Sequence, residues 1–169
     1  GEGAEGIAVT PDGRQVWVTN RAEDSITVIN SASQMPEVEI EAGAFPIRAE
    51  ATGDGRFVLV TNARGNDLSV YSTADFSELR RVPFDAVSKD AEGRLFSDRF
   101  GTSSVPIGIE IVDEERRAYV AHANSDGISI IDLGQWKVIG PLSAGKEPDG
   151  LGYSPLLPKG DEQAVSEES

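Results

Sequence analysis

A repeat constrains this chain more than any other feature. Three stretches align without gaps through a core of about 25 residues. The first runs Gly6-Ile7-Ala8-Val9-Thr10-Pro11-Asp12-Gly13-Arg14-Gln15-Val16-Trp17-Val18-Thr19-Asn20 and, six residues on, reaches Ile26-Thr27-Val28-Ile29. The second runs from Arg48 through Thr52-Gly53-Asp54-Gly55-Arg56 to Val58-Leu59-Val60-Thr61-Asn62, then Leu68-Ser69-Val70-Tyr71. The third runs from Gly108 to Ala118-Tyr119-Val120-Ala121-His122, then Ile128-Ser129-Ile130-Ile131. The offsets are 42 and 60 residues, and Pro46, Pro106 and Pro148 mark the joins. The unit is therefore 42 residues, and the second unit carries about 18 more.

Each unit reads as four short strands. The first is short and apolar, and Thr10-Pro11-Asp12-Gly13 suits the turn after it: Pro presets φ, Asp bonds its own backbone and Gly takes positive φ. Asp113-Glu114-Glu115 lacks the glycine, so the third unit must turn differently. The second and third strands are nearly continuous Val, Ile, Leu, Trp and Tyr, a pattern for strands buried on both faces. The fourth alternates as Glu37-Val38-Glu39-Ile40-Glu41, with Arg80, Arg81 and Lys137 in the matching parts of the other units. One wet face and charges against edge pairing mark an outermost strand.

Four strands in about 42 residues is the signature of a β-propeller blade. The expected fold class is all-β: three four-stranded antiparallel blades over about 4–45, 46–105 (with an insertion at 84–101) and 106–148. Residues 149–155 read as the first, inner strand of a fourth, because Leu151-Gly152-Tyr153-Ser154-Pro155 aligns with Ile7-Ala8-Val9-Thr10-Pro11. Residues 156–169 read as an acidic flexible tail. Gly1 aligns with Gly145, inside the joining motif. A ring needs about four to eight blades. The expectation is an incomplete ring, the C-terminal part of a larger propeller whose remaining blades belong to the same full-length chain. The rival is closure by self-association.

The unit resembles the YVTN family of β-propeller repeats. The residues that carry this are Trp17-Val18-Thr19-Asn20, Leu59-Val60-Thr61-Asn62, Tyr119-Val120-Ala121-His122, the Pro-Asp-Gly-Arg turn at 11–14, and Gly145-Lys146-Glu147-Pro148-Asp149-Gly150. The third unit departs, with Ala121-His122 for Thr-Asn. The resemblance implies a non-enzymatic binding scaffold with extracellular, cell-surface or periplasmic placement and surface-layer associations. Asp54-Gly55-Arg56-Phe57-Val58-Leu59-Val60-Thr61-Asn62 is also similar to blades of 6-phosphogluconolactonase-like propellers, for which Arg48 and Glu50 are the available channel groups. A third alternative is the propeller part of a quinoprotein or haem-linked oxidoreductase.

Composition closes several other routes. The chain carries 15 Lys and Arg against 29 Asp and Glu, a net charge of −14, which suits neither nucleic acid nor an anionic membrane surface. It has no Cys, hence no disulfide, thiol nucleophile or covalent haem attachment. No apolar run nears the ~18 residues of a membrane span. No cofactor is expected, and the partner is an unspecified protein or small molecule.

Local motifs are weaker. Gly1-Glu2-Gly3-Ala4-Glu5-Gly6 spells a dinucleotide fingerprint but precedes a strand, where the fingerprint needs a helix. Gly140 to Lys146 spells a phosphate loop, but Glu147 replaces the Ser or Thr that would hold magnesium. His122, the single histidine, occupies the slot of Asn20 and Asn62. It reads as a side chain serving a β-turn, or as a general base. The insertion should share a rim with the turns after Asn20, Asn62 and His122, and long rim loops often form the binding face. It either packs its own aromatics or adds to a ligand surface. The candidate surface comprises Asn20, Arg48, Asn62, Phe96, Arg99, Phe100 and His122; no catalytic or metal-binding residue is assigned.

Overall fold

The computed structural model describes residues 1–86, 94, 96 and 99–155. Among these residues twelve strands form three antiparallel sheets, each in sequence order. Blade 1 holds β1 (Ala4–Val9), β2 (Gln15–Asn20), β3 (Ser25–Asn30) and β4 (Met35–Glu41). Blade 2 holds β5 (Pro46–Ala51), β6 (Phe57–Asn62), β7 (Asp67–Ser72) and β8 (Glu78–Pro83). Blade 3 holds β9 (Pro106–Val112), β10 (Arg117–His122), β11 (Gly127–Asp132) and β12 (Lys137–Ser143). These are the sequential four-stranded blades of a propeller, and three of them make an incomplete ring. Among the described residues no helix is long and apolar enough to cross a membrane.

The turns repeat as faithfully as the strands. Left-handed backbone recurs at Asp24, Asn66 and Asp126 between second and third strands, and at Gln34, Phe76 and Trp136 between third and fourth. It recurs again at Gly3, Phe45, Val105 and Glu147, just ahead of each inner strand. In the first hairpins Thr10 Oγ1 donates to Asp12 Oδ1 at 2.7 Å and Thr52 Oγ1 to Asp54 Oδ1 at 2.6 Å, with Gly13 and Gly55 at positive φ. Blade 3 has no glycine there. It makes a 3-10 turn over Asp113–Glu115 and moves the left-handed residue one place on, to Arg116.

The core lies between blades. At the first junction Trp17, Ile26 and Val28 of blade 1 pack on Val58, Val60 and Tyr71 of blade 2. At the second, Leu59, Leu68 and Val70 of blade 2 pack on Ala118, Val120 and Ile131 of blade 3. Strand pleating sends alternate residues to opposite faces, so each inner blade is apolar on both. That is why β6 and β7 of the central blade are buried almost throughout, whereas Val16 and Val18 of β2 are only half-buried. Trp17 is fully buried, with ring centroids 6.1 Å from Tyr71 and 5.9 Å from Phe76.

Residues 149–155, expected as the inner strand of a fourth blade, lie in no strand. An inner strand gains its ladder from a second strand beside it, and no such neighbour exists for this segment among the described residues. The tail expected at 156–169 and much of the 84–101 insertion lie outside the described residues.

Candidate functional site: the channel mouth

The inner strands begin at one end of the channel, and the repeat places Glu5, Ile47, Ile107 and Asp149 at matching positions there. The next position is Gly6, Arg48, Gly108 and Gly150. At Gly6 the carbonyl of Ile47 occupies the space of a Cβ, and at Gly108 the carbonyl of Asp149 does. Side chains are excluded at both. The central blade departs from this rule and projects Arg48.

Arg48 reaches Glu5 at 3.7 Å and Asp149 at 3.9 Å, while Arg21 holds the other Glu5 oxygen at 2.8 Å. Phe96, Arg99 and Phe100 of the insertion join these residues around a cavity of about 100 Å³. The aromatic wall is continuous: Phe45 meets Phe100 edge-on at 4.9 Å, and Phe96 lies 5.8 Å from Phe100. Arg21 and Arg64 stand over the Phe45 ring at 5.5 and 5.1 Å, within cation–π range. Beneath lies a cluster of Ile47, Ala63, Val105, Ile107 and Ala123, which seats Phe100.

The insertion is anchored by a residue that sequence reasoning passed over. Arg94 makes two bonds to the Asp126 carboxylate, at 2.7 and 2.8 Å, and a third to the Ala123 carbonyl at 3.1 Å. Asp126 also accepts the Glu147 N–H at 3.2 Å, so it ties the insertion to the last joining loop. Asp24 accepts Phe45 N–H at 2.7 Å and Asn66 accepts Ser104 N–H at 3.0 Å in the same way. An acidic or amide residue four places after each Asn/His slot was the available signal.

Of the seven candidate residues, Arg48, Phe96, Arg99 and Phe100 meet at the mouth. Asn20, Asn62 and His122 do not belong to an exposed surface: they are 0%, 0% and 1% exposed. Their side chains turn inward because each spans its own hairpin. Asn20 Nδ2 donates to Ser25 Oγ and Thr27 Oγ1 at 3.1 and 2.8 Å; Asn62 Nδ2 donates to Asp67 Oδ1 and Ser69 Oγ at 2.6 and 2.9 Å. His122 bonds Ser104 and Ser129 at 2.7 and 2.8 Å.

Two places beyond Arg48 on β5, Glu50 crosses the second blade junction to accept the Ile111 N–H at 3.2 Å. Its other oxygen is buried without a partner. Burial pushes its carboxyl up to about 7, Glu110 and Asp113 add to the rise, and the Ile111 bond opposes it.

The sequence profile described as "Lactonase, 7-bladed beta-propeller" matches residues 1–92, more than half of the chain. The chain belongs to this lactonase family of seven-bladed β-propellers. The match takes in blades 1 and 2, with Arg48 and Glu50. No curated protein matches the chain. Solved structures show the same fold. Hydrazine synthase of Kuenenia stuttgartiensis superposes with a TM-score of 0.74 at 22% identity, over 88% of this chain and 38% of the other. Dihydro-heme d1 dehydrogenase NirN gives 0.67 at 22%, over 90% and 31%. U3-55K gives 0.67 at 10%, over 85% and 40%. The lactonase-family chain thus spans 31–40% of the length of these proteins.

Proposed function

We propose that this chain is a β-propeller binding module that takes the carboxylate end of a small ligand at its channel mouth. One observation carries the reading: the only inner-strand arginine of the three blades, Arg48, opens onto the aromatic cup formed by the insertion. On a chain of net charge −14, Arg21, Arg48, Arg64 and Arg99 outnumber the carboxylates of Glu5 and Asp149 at this one rim. A forked guanidinium is suited to a planar carboxylate, and a cavity of about 100 Å³ matches one such group rather than a whole ligand. The repeat belongs with the YVTN type on the strength of Trp17-Val18-Thr19-Asn20 and Leu59-Val60-Thr61-Asn62. That assignment favours an extracellular, cell-surface or periplasmic setting. The apolar outer faces of blades 1 and 3 favour a ring completed by further blades.

The test is calorimetric titration with citrate and succinate. Binding that falls at least ~10-fold in Arg48→Ala, and is abolished by deleting 86–99 while the β circular dichroism stays intact, is the expected result. Binding unchanged by both alterations overturns the reading.

A second reading, lactone hydrolysis, is favoured by the family membership and by Glu50. A carboxyl near 7 is suited to proton transfer at neutral pH, and it lies on the strand that carries Arg48. Hydrolysis of δ-gluconolactone, lost in both Arg48→Ala and Glu50→Gln, would support it. A rate equal to the uncatalysed one would remove it.

A further inference from the structure

Blade 3 differs from its neighbours at the polar slot, and the difference creates a second site that shares no lining residue with the channel mouth. In blades 1 and 2 the slot is an amide that donates to a third-strand hydroxyl, Thr27 or Ser69. In blade 3 the slot is His122 and the hydroxyl is Ser129. The direction of this bond follows from the surrounding hydrogens.

Asn66 spends both amide hydrogens on the carbonyls of Phe84 and Ala86, at 2.9 and 3.1 Å. Its Oδ1 therefore only accepts, from Ser104 N–H at 3.0 Å and from the Ser104 hydroxyl at 2.6 Å. Ser104 has one hydroxyl hydrogen, and Asn66 takes it. The 2.7 Å contact between Ser104 Oγ and His122 Nδ1 then needs its hydrogen on Nδ1. Burial holds the imidazole down to about 4, so the ring is neutral at pH 7 and carries one hydrogen only. Nε2 is consequently bare and accepts the Ser129 hydroxyl at 2.8 Å. The Phe84 ring, nearly perpendicular with its centroid 4.6 Å away, fixes the imidazole further.

A hydroxyl donating to a bare imidazole nitrogen, with the opposite nitrogen held by a hydrogen-bonded partner, is the geometry of an activated serine. The slot is also less covered in this blade, where Ser129 is 6% exposed and lines a cavity. Ser25 and Asp67 cover it in blades 1 and 2, and Gly127 stands at that position in blade 3. A cavity of about 420 Å³ lies here, lined by His122, Ser125, Ser129 and Pro141, together with Ile128 and Leu142 of the uncovered face of blade 3. That is within the ~300–1,000 Å³ of small-molecule sites.

We propose that Ser129 is a nucleophile with His122 as its base, in a pocket that accepts small uncharged esters. Ser129 Oγ bonds to the acyl carbon while its proton passes to His122 Nε2. The ester C–O bond breaks, and the leaving alkoxide takes that proton. Water then attacks the acyl-serine, His122 accepts the water's proton, and that proton returns to Ser129 Oγ as the acid is released. Ser104 and Asn66 are positioning residues: they set the tautomer of His122 and touch no substrate. Asp85 and Asp126 also line the pocket, which disfavours anionic esters.

The probe is an alkyl fluorophosphonate, which forms an Oγ–P bond and releases fluoride from phosphorus, with the site read by peptide mass spectrometry on the full chain. Ser129 is expected to be modified, with labelling flat from about pH 6 to 8 and falling towards pH 4 as the imidazole protonates. His122→Asn restores the side chain of the other two slots and should keep the fold while slowing labelling at least ~10-fold. Gly127→Ser closes the pocket as blade 1 does. A Cβ at Gly127 meets nothing nearer than 3.4 Å, so this variant also folds, and it too should slow labelling. Ser129→Ala should leave citrate titration at the channel mouth unchanged. No modification of Ser129, or equal rates in wild type and His122→Asn with both proteins folded by circular dichroism, overturns the proposal.

Discussion

The Thr61 hydroxyl donates to the backbone carbonyl of Ile107 on the next blade at 2.8 Å, and Thr19 does the same to Ile47 at 3.0 Å. Each threonine sits next to the Asn of its Val-Thr-Asn run, and each is fully buried. Each hydroxyl also accepts an inner-strand N–H of its own blade, Arg48 for Thr61 and Gly6 for Thr19. The repeated Thr is thus a stitch between consecutive blades, placed at the end of the channel where Arg48 emerges.

Thr61→Val keeps the shape and removes the stitch. It leaves the Ile107 carbonyl without this donor in a buried setting, at a cost of about 1–2 kcal/mol. For a chain of this size that lowers Tm by roughly 2–8 °C. Thr19→Val should cost a similar amount, and the double variant should depart from the sum, because both stitches hold the Ile47–Arg48 peptide, Thr19 at its carbonyl and Thr61 at its N–H. Thermal denaturation of the three variants measures this. A wild-type Tm for Thr61→Val would show that the hydroxyl contributes nothing across the junction.

Glu50 makes a pH-dependent contribution whose sign is opposite to that of an ordinary surface carboxylate. Its carboxyl is raised from 4.5 to about 7 in the fold. Between those values the folded chain holds a proton that the unfolded chain has released. Stability from this group is therefore greatest below about 4.5, declines as pH rises, and levels off above about 7. Glu50→Gln removes the decline. Its stability relative to wild type should rise by about 1–2 kcal/mol between pH 4.5 and 8, after allowance for solvent screening at a half-buried site. Paired urea melts across that range give the difference directly; a difference independent of pH would mean the carboxyl is ionised throughout.

The blades were legible in the sequence because strand pleating, turn chemistry and repetition impose the same pattern three times. The Thr-x-Asp-Gly turn recurs in blades 1 and 2, and the apolar pair of middle strands and the charged outer strand recur in register in all three. The candidate site was legible only in part. Arg48 could be named because it is a charged group on an inner strand, where a channel would need one, and Phe96, Arg99 and Phe100 because they are sticky residues on an insertion. Glu5 and Asp149 could not be separated from the many other carboxylates of an acidic chain, since only the fold brings residues 5 and 149 to one arginine. Arg94 was passed over for the same reason: its partner Asp126 lies 32 residues away. Asn20 and Asn62 were misread as surface because an Asn at a strand end signals a turn without saying which way the amide points. The direction depends on hydroxyls at residues 27 and 69, seven positions on.

The outer faces of the first and last blades supply the remaining prediction. At the two buried junctions the incoming face is Ala49, Ala51, Val58, Val60 and Tyr71 on blade 2, and Ile109, Ile111, Ala118, Val120 and Ile131 on blade 3. The same repeat positions on blade 1 are Ile7, Val9, Val16, Val18 and Ile29, and the register confirms one face: Ile7 pairs with Val18, Val9 with Val16, and Val16 with Ile29. Ile7 and Val9 are 64% and 53% exposed, and no blade covers them. The far side of blade 3 offers the complementary outgoing face through Tyr119, Ile128, Ile130 and Leu142. Two such faces on one chain are complementary in the head-to-tail sense, so the 169-residue chain should self-associate, with a mass in light scattering that rises with concentration. Val18→Asp places a charge in the middle of the blade 1 face and should shift the chain towards monomer without unfolding it. Val60→Asp puts the same charge at the equivalent position inside a junction, where it has no partner, and should unfold the chain instead. Equal behaviour of the two variants would mean that the blade 1 face is not a junction face at all.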